Sequence, residues 1–441
     1  MASTSISRTP SSTGNRQTWT FSAWVKRSEL STNQKIFEAS PDGSNTTDIR
    51  LKTDDTLQVY SEVGGVTKYN LKTNRKLRDT SAWYHVVIAV DTTQGTSSNR
   101  VKLYINGVQE TSLNTATYPD QNFDTLVNYA SQINVIGRRN PYSDFYFNGL
   151  ISYAALVDGT QELPTIFGET DSVTGEWKIK TDITPSVAWG TNGFLILKNG
   201  NSLTDESTNT NNFTLGSGTL TNTLDCPSNV FATLNPLYNS GGTVTYSNGN
   251  NTFTEPDSQW KTTFSTLGAS SGKYYAEFKS NGNYTQIGVA DYNVTKSGTA
   301  DYNFASSTVI STQGYGYYNG NGDLYYRGSS TSYGDTYGNG DIIQVGLDCD
   351  NNRVFFGKNG VWQNSADPTN SGTGFAMTAT NATYVFALAV TSNPCDANFG
   401  NGFFGTSAVA DNSTATASTP GTFNYDVPAG YQPLTTKGLN A

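Results

Sequence analysis

The chain has 441 residues and a formal net charge of -9. Only 14% of its residues are charged, well under the roughly 25% of an ordinary soluble protein. Aromatic residues make up 12% of the sequence, which excludes a disordered chain, because disordered chains are depleted in aromatics. The acidic balance without basic clusters argues against nucleic acid as a partner. No apolar run approaches the roughly 20 residues of a membrane span, so we expect no membrane insertion, and no signal peptide is apparent at the start.

Histidine and cysteine usage excludes several kinds of site. The single histidine, His85, rules out a multi-histidine metal centre. As a general base it would need a nucleophile or an orienting carboxylate, and none lies nearby in sequence; we interpret His85 as a surface or edge residue of a strand. The three cysteines, Cys226, Cys349 and Cys395, show no C-x-x-C spacing and are expected to be free, buried thiols.

Short strand-like segments, broken by Gly, Asn and Asp, begin at Thr18. Residues 83–91 form a dense apolar run, typical of a strand covered on both sides. Asn106-Gly107 predicts a tight hairpin turn within 101–111. In residues 18–27 an alternating pattern puts four apolar side chains on one face: Trp19, Phe21, Ala23 and Val25. This spacing of short strands without a helical period predicts a β-sandwich or jelly roll in residues 1–185.

The rest of the chain divides into a polar segment and a second strand series. Residues 186–240 are rich in Asn and Thr, and we interpret them as a connector that packs partly on the first sandwich. Strands resume near Thr243, and turns at 350–352 and at Asn359-Gly360 predict a hairpin pair. Residues 241–441 are therefore a second β-sandwich, with a tail at 423–434 expected along the surface. The predicted fold class is all-β, with two sandwiches in tandem.

The first half resembles a laminin-G-like, concanavalin A-type jelly roll. The resemblance rests on FSAWVKR (21–27), SAWYHVVIAVD (81–91) and VKLYINGVQ (101–109), in that order. The FGE-x-D and G-x-W pattern within 147–180 is more specific, since it resembles the end of such domains in virion structural and tail-fibre proteins of tailed bacteriophages. Residues 190–237, with DCPSNVFATLNPL, resemble the companion segment of the same phage proteins.

The second half resembles a SPRY domain. The residues that carry this resemblance are GKYYAEFK (272–279), IGVA (287–290), GDIIQVGLDCDNNRVFFGKNG (340–360) and FALAV…NFG (386–400). Together the two resemblances cover nearly the whole chain. They imply a non-enzymatic bacteriophage protein on the virion surface: a tail fibre, a head fibre or a capsid decoration. Its implied partners are other virion proteins, host surface polysaccharide and further copies of itself.

The Tyr/Gly tract 314–341 is the candidate ligand-binding segment. Exposed tyrosines stack well on sugar rings, while Asn and Asp side chains bond the hydroxyls. The alternative is that these tyrosines pack the sandwich or a neighbouring subunit. The candidate ligand-binding residues are Tyr315, Tyr317, Tyr318, Tyr325, Tyr326, Tyr333 and Tyr337.

We expect no cofactor, and a structural calcium ion stays open as an alternative. Laminin-G-like jelly rolls often hold one such ion at a loop rim, which makes Asp54, Asp91 and Asp158 candidate ligands by their strand-end positions.

Two other functions stay open. A polysaccharide depolymerase of the glucanase type would need two carboxylates about 5–5.5 Å apart, usually on alternate residues of one strand, and no strand carries such a Glu pair. A cement protein without a ligand would bind only its virion neighbours.

Overall fold

The computed structural model describes residues 3–130, 132–239, 243–293, 303–305, 313–378, 382–410 and 420–439. The chain divides into two units, Met1–Asn222 and Thr223–Ala441. Each unit is built from β-sheets whose strands are mostly antiparallel. The predicted all-β class with two sandwiches in tandem is therefore confirmed. Within the described residues, no helix has the length and apolar character needed to span a bilayer.

The first unit consists of short strands separated by turns. Their bounds are β1 (Ser5–Arg8), β2 (Thr18–Arg27), β3 (Gln34–Asp42), β4 (Asn45–Leu51), β5 (Thr56–Val63), β6 (Val66–Lys76), β7 (Trp83–Asp91), β8 (Val101–Ile105), β9 (Val108–Gln109), β10 (Leu113–Thr117), β11 (Asn134–Ile136), β12 (Gly149–Asp158), β13 (Gly168–Thr170), β14 (Trp177–Ile179), β15 (Phe194–Ile196) and β16 (Thr214–Ser217). Single turns of 3-10 helix lie at Ser97–Asn99, Pro164–Ile166 and Thr184–Ser186.

Two large sheets enclose the core of the first unit. One has eight strands in the order β10-β6-β5-β4-β3-β11-β1-β16, and the other has six in the order β15-β12-β2-β7-β8-β9. Because side chains alternate along a strand, β2 sends every second residue into this core, as predicted: Trp19, Phe21, Ala23 and Val25. The facing sheet contributes Phe37, Ile49 and Val59.

A β-hairpin of β13 and β14 covers part of the outer face of the six-stranded sheet. Trp177 of this hairpin stacks on His85, with ring centroids 5.9 Å apart. Its indole fits only because two neighbours lack a Cβ: one placed on Gly107 or Gly168 would lie 2.5 or 2.6 Å from the ring. The FGE-x-D and G-x-W pattern of the sequence therefore builds this cover.

His85 is fully buried, so its predicted surface or edge position is wrong. Trp24 stacks on the imidazole with ring centroids 4.7 Å apart, and Ser22 Oγ lies 2.8 Å from Nε2. The Trp177 Nε1–H donates to His85 Nδ1 at 2.9 Å. An indole N–H can only donate, so Nδ1 carries no proton and Nε2–H donates to Ser22. His85 therefore cannot act as a base toward Ser22, and burial lowers its pKa to about 3.

The polar segment 186–240 is divided between the units rather than forming a connector. Its strand β15 pairs with β12, and β16 pairs with β1, so residues up to Asn222 complete the first sandwich. Its Asn and Asp side chains form hydrogen bonds with backbone groups of the irregular segments. Asp205 accepts from the Leu195 N–H at 2.9 Å, and Asn209 donates to two glycine carbonyls. The boundary between the units lies at residues 222–223, inside the segment 186–240 that the sequence predicts as a connector.

The second unit follows the same pattern of short strands. Their bounds are β17 (Leu234–Asn239), β18 (Thr245–Ser247), β19 (Thr252–Thr254), β20 (Lys261–Ser265), β21 (Lys273–Ser280), β22 (Thr285–Asp291), β23 (Gly314–Tyr318), β24 (Asp323–Tyr326), β25 (Ser329–Ser332), β26 (Ile342–Asp348), β27 (Arg353–Lys358), β28 (Val361–Trp362), β29 (Phe375–Ala376), β30 (Tyr384–Val390), β31 (Cys395–Asn398), β32 (Phe403–Phe404), β33 (Ser407–Ala408) and β34 (Gln432–Pro433). A 3-10 turn at Ser371–Thr373 and the one-turn helix α1 (Thr436–Leu439) also belong to this unit.

Two sheets enclose the second core. The seven-stranded sheet has the order β17-β20-β30-β22-β23-β24-β25. The other runs β18-β19-β31-β21-β26-β27-β28, with β29 beside β27 and β34 beside β21. Both predicted turns are confirmed, since β26 pairs with β27 and β27 pairs with β28. Large apolar side chains such as Phe278, Ile287 and Phe386 fill the space between the sheets.

The C-terminal tail lies over the outer face of one sheet, with its large side chains buried and residues 426, 429 and 430 exposed. Phe423 and Tyr431 pack with Tyr275 and Phe355 on the outer face of the sheet that contains β21. These rings form an apolar layer of their own, so the tail covers the sheet while its other side faces solvent.

A buried carboxylate fastens this tail. Glu277 of β21 accepts hydrogen bonds from the backbone N–H groups of Asn424 and Tyr425, both at 2.8 Å, and from the Tyr275 hydroxyl at 3.0 Å. Burial raises the pKa of Glu277 to about 7, against the effect of these donors. The carboxylate supplies acceptors for tail backbone groups that would otherwise be buried without partners.

Candidate functional site

A concave polar surface lies on the outer face of the eight-stranded sheet of the first unit. Side chains alternate along β3, β4 and β5, so that Phe37, Ile49 and Val59 point inward and the residues between such inward positions point outward. A register shift between Lys35 and Phe37 turns Ile36 inward as well, which leaves Lys35 on the outer face beside Arg50. The resulting cavity of about 190 Å³, here called the polar groove, is lined by Lys35, Glu38, Asp42, Gly43, Thr46, Arg50, Tyr60, Glu62, Arg139 and Asn140.

Three charged residues that line the polar groove, Lys35, Glu38 and Arg50, are joined through the buried Asp48 into a network that forms its floor. Lys35 Nζ lies 3.0 Å from Glu38 Oε1 and 2.5 Å from Asp48 Oδ2, and Arg50 Nε lies 2.6 Å from Asp48 Oδ1. The side chains of Lys35, Glu38 and Asp48 are only 2%, 1% and 0% exposed. Buried charges of this kind are tolerated only in a complete network, because each ion has lost its hydration. The floor is therefore rigid and already desolvated.

The two floor carboxylates differ in acidity. Burial raises the pKa of Glu38, although the Lys35 ammonium opposes this. Burial also favours a higher pKa for Asp48, but Lys35 and Arg50 together outweigh it and hold the pKa of Asp48 below its ordinary value. Glu38 is further fixed by the Asn140 N–H, which donates to Oε2 at 2.7 Å.

Aromatic rings stiffen the walls of the groove. The Arg50 guanidinium lies 4.5 Å above the ring of Tyr60, whose hydroxyl donates to Glu62 at 2.5 Å. Arg139 lies 4.4 Å above the ring of Tyr142, which is 50% exposed beside the groove. The walls therefore present aromatic surface next to fixed hydrogen-bonding groups, a combination suited to ligands with both apolar faces and hydroxyls.

The sequence analysis does not predict this site. It considers carboxylate pairs on alternate residues of one strand, whereas Glu38 and Asp48 lie opposite each other on two neighbouring strands, β3 and β4. Both carboxylates bond to the same Lys35 Nζ, so their separation is no larger than the about 5.5 Å that retaining glycosidases use. The signal in the sequence is a predicted hairpin over 34–51 in which both strands carry an acidic residue at an outward-facing position.

The structure separates the seven candidate tyrosines into two groups. Four are buried in the core of the second unit, so they cannot stack on a ligand: Tyr315, Tyr317, Tyr333 and Tyr337. The physical reason is parity, because β23 pairs with both neighbours in a register that sends its first two tyrosines inward. The alternative that these residues pack the sandwich therefore holds for these four.

The other three candidate tyrosines remain partly accessible. Tyr318 and Tyr325 lie on the outer face of the seven-stranded sheet, with ring centroids 5.8 Å apart. Tyr326 packs against Phe375 at 4.8 Å, next to the core. The structure therefore brings together Tyr318 and Tyr325 on one surface, while Tyr326 lies apart from them on the opposite face of β24.

The three candidate calcium ligands do not converge. Asp91 and Asp158 flank the start of β2, whereas Asp54 lies in the turn between β4 and β5. Each accepts from protein donors; for Asp158 these include the N–H groups of Asn15 and Asn192 at 2.8 and 2.9 Å. Among the residues that the structure describes, no three His, Cys, Asp or Glu side chains are grouped to hold a metal ion.

The fold defines a class of protein: a tandem of two β-sandwich domains. The first unit carries a concanavalin A-like domain and the second a SPRY domain. Residues 2–164 match the model of the concanavalin A-like lectin/glucanases superfamily, and residues 273–401 match that of the SPRY domain. The sequence matches none of the curated proteins with which it was compared.

Solved structures that are similar to parts of this chain include SPRY domains and a pentraxin. The SPRY domain of human HERC1 is 22% identical, with a TM-score of 0.30, and the match covers 37% of this chain and 94% of that one. A heptameric SAP-like pentraxin from Limulus polyphemus is 18% identical, with a TM-score of 0.27 and coverage of 35% and 69%. A human SPRY domain is 13% identical, with a TM-score of 0.26 and coverage of 35% and 94%. At this level the likenesses carry no inference about ligand or activity.

Proposed function

We propose that this chain is a non-catalytic carbohydrate-binding protein and that the polar groove of its first unit holds a saccharide. The observation that carries the proposal is the rigid floor of paired charges beside partly exposed aromatic rings. Saccharides present C–H faces for aromatic stacking and hydroxyls that both donate and accept hydrogen bonds. The concanavalin A-like fold of the unit is compatible with this ligand class.

The side chains of the groove are already held in place, which supports a role in binding a ligand. The groups lining the groove are held by one another, such as Glu38 by Asn140 and Asp42 by Asn45. A ligand would therefore not have to freeze these side chains, a cost of about 0.5–1.5 kcal/mol for each mobile one. Displaced water would be exchanged for hydroxyl groups of similar hydrogen-bonding character.

A glycan array probed with the full chain tests this proposal. Tyr142→Ala removes the exposed ring beside the groove and should weaken retention of bound glycans about tenfold, equivalent to about 1.4 kcal/mol. Tyr129→Ala is the matched control, because Tyr129 is also partly exposed beneath an arginine, with Arg16 4.1 Å above its ring. Arg139, which lies over Tyr142, lines the groove, whereas Arg16 does not. Binding that Tyr142→Ala leaves unchanged, or no glycan retained at all, would contradict the proposal.

A polysaccharide depolymerase is the second candidate, favoured by the facing carboxylates Glu38 and Asp48. Against it, Lys35 bonds to both carboxylates, and neither reaches solvent, so a glycosidic oxygen could enter only if Lys35 left. Incubation with bacterial surface polysaccharide, followed by an assay for new reducing ends, distinguishes the two. Sustained turnover that Glu38→Gln abolishes would replace the binding proposal with hydrolysis.

We also propose that the protein works on a bacteriophage virion surface, where copies assemble with other virion proteins and meet host polysaccharide. Support comes from the resemblance of residues 147–180 and 190–237 to phage virion proteins and from the low content of charged residues. Mass spectrometry of purified particles, followed by immunogold electron microscopy, tests the location. A particle-associated chain whose Tyr142→Ala variant adsorbs normally but yields unstable particles would favour a cement role instead.

A further inference from the structure

A second group of aromatic rings, one exposed and three half-buried, lies on the outer face of the seven-stranded sheet in the second unit. We call it the aromatic patch and define it as Trp260, Tyr284, Tyr318 and Tyr325. The ring of Tyr318 meets Trp260 at 5.9 Å and Tyr325 at 5.8 Å, both edge to face. Tyr284 lies beside Tyr318 and is 55% exposed.

The sheet register explains why these rings gather. Trp260 precedes β20 and Tyr318 ends β23, and two strands, β30 and β22, lie between them. The intervening strands carry small side chains on this face, including Ala387, Ala389 and Gly288. Because these side chains are small, the large rings of the flanking strands can contact each other above them. Trp260 and Tyr325 pack partly against a buried apolar cluster on this face that includes Phe264 and Phe304, and the rest of their ring surface stays open to solvent.

The surroundings of the patch are polar but mostly uncharged. The exposed Asn321 amide donates to the Tyr325 hydroxyl at 3.2 Å and to Asp323 Oδ2 at 2.8 Å. Gln259 precedes Trp260, and its Oε1 accepts from Lys261 Nζ at 3.1 Å. The lysine charge is thus buried and bonded. On the outer face of β24 the Asp323 carboxylate shares the Asn321 amide with the Tyr325 hydroxyl. One carboxylate among amides disfavours an anion and suits a neutral ligand whose hydroxyl groups can donate to it.

We propose that the aromatic patch is a second saccharide site, in which the pyranose ring of a neutral sugar stacks on the aromatic rings. Edge-to-face rings form a corner that offers one ring face for the C–H groups of the sugar. The amides of Asn321 and Gln259 reach its hydroxyls. The inference shares its ligand class with the proposed function but uses other residues in the other unit, so the two can fail separately.

The test compares two tyrosines that flank the same strand, β22, in the full chain. Tyr284→Ala removes an exposed patch ring just before β22, whereas Tyr292→Ala removes an equally exposed ring, 54% against 55%, just after the other end of β22. Binding is measured on a glycan array and by saturation-transfer NMR with maltose, cellobiose and lactose as neutral probes. We expect Tyr284→Ala to lower retention of neutral glycans about tenfold and Tyr292→Ala to leave it unchanged. Equal melting temperatures of the two variants would show that folding is not the cause.

The outcomes separate this inference from the proposed function. If Tyr142→Ala removes glycan binding and Tyr284→Ala does not, the groove binds sugar and the aromatic patch inference is wrong. If Tyr284→Ala instead abolishes a concentration-dependent self-association seen by light scattering, the patch is a protein interface, which also overturns the inference. Loss of neutral-glycan binding in Tyr284→Ala while Tyr142→Ala retains it supports the patch alone.

Discussion

Lowering the pH should destabilise the first unit through one side chain, His85. The folded protein holds this imidazole neutral beside two indole rings, and burial lowers its pKa to about 3. The unfolded chain exposes it, with an ordinary pKa of about 6.5. Below pH 6.5 the unfolded state therefore binds one more proton than the folded state, and stability falls as the pH falls.

The size of the effect follows from the pKa difference. Between pH 6.5 and pH 3 the free energy of unfolding should drop by about 1.4 kcal/mol for each pH unit, or about 5 kcal/mol in all. Such a loss is a large part of the 5–15 kcal/mol that typically stabilises a domain. Below pH 3 both states are protonated and the dependence should level off.

Urea denaturation at pH 7, 6, 5 and 4, followed by tryptophan fluorescence, measures this slope. Five of the seven tryptophans lie before residue 223, so the signal reports mainly on the first unit. His85→Gln is the control, because it keeps a donor and an acceptor but does not titrate. The difference in slope between the two proteins isolates His85 from the carboxylates. Parallel losses in wild type and His85→Gln would refute the neutral, buried imidazole.

Three further substitutions test the packing, each by urea denaturation. Lys35→Met leaves Asp48 and its partner carboxylate buried with one cation fewer, which should cost about 3–5 kcal/mol; an unchanged stability would mean that the network is hydrated. Trp177→Phe keeps an aromatic ring beside His85 but leaves its Nδ1 without a donor, so the free energy of unfolding should fall by about 1–3 kcal/mol. An unchanged free energy would contradict the assigned tautomer. Gly288→Ala puts a Cβ onto the Tyr315 carbonyl oxygen, which should cost about 3 kcal/mol or more; tolerance of alanine would show that the two strands can separate.

The strands and their turns could be predicted from sequence because they depend on local rules. Alternation in 18–27 gave the inward face of β2, and the Asn-Gly pairs gave two hairpins. The apolar run 83–91 predicts a strand covered on both sides, whereas the prediction for His85 within it is a surface or edge position. Its cover is a hairpin more than eighty residues later, and nothing local to β7 identifies Trp177 as the covering residue.

The sites were harder to predict because they depend on register between strands. Glu38 and Asp48 face each other only once a bulge at Lys35 has set the pairing of β3 with β4. The same holds for Tyr317 and Tyr318, adjacent residues that point to opposite sides of one sheet. A one-residue change of register would exchange core and surface in this tract, and the Tyr/Gly pattern does not specify which parity turns inward.

The path of the C-terminal tail has a consequence for synthesis on the ribosome. The first sandwich can close once β16 has emerged and paired with β1. The second must wait for Phe423 and Tyr431, the last pieces of the layer over Tyr275. A nascent chain would thus carry a finished first sandwich next to a second with an uncovered aromatic face, and this interval is when chaperones would matter most.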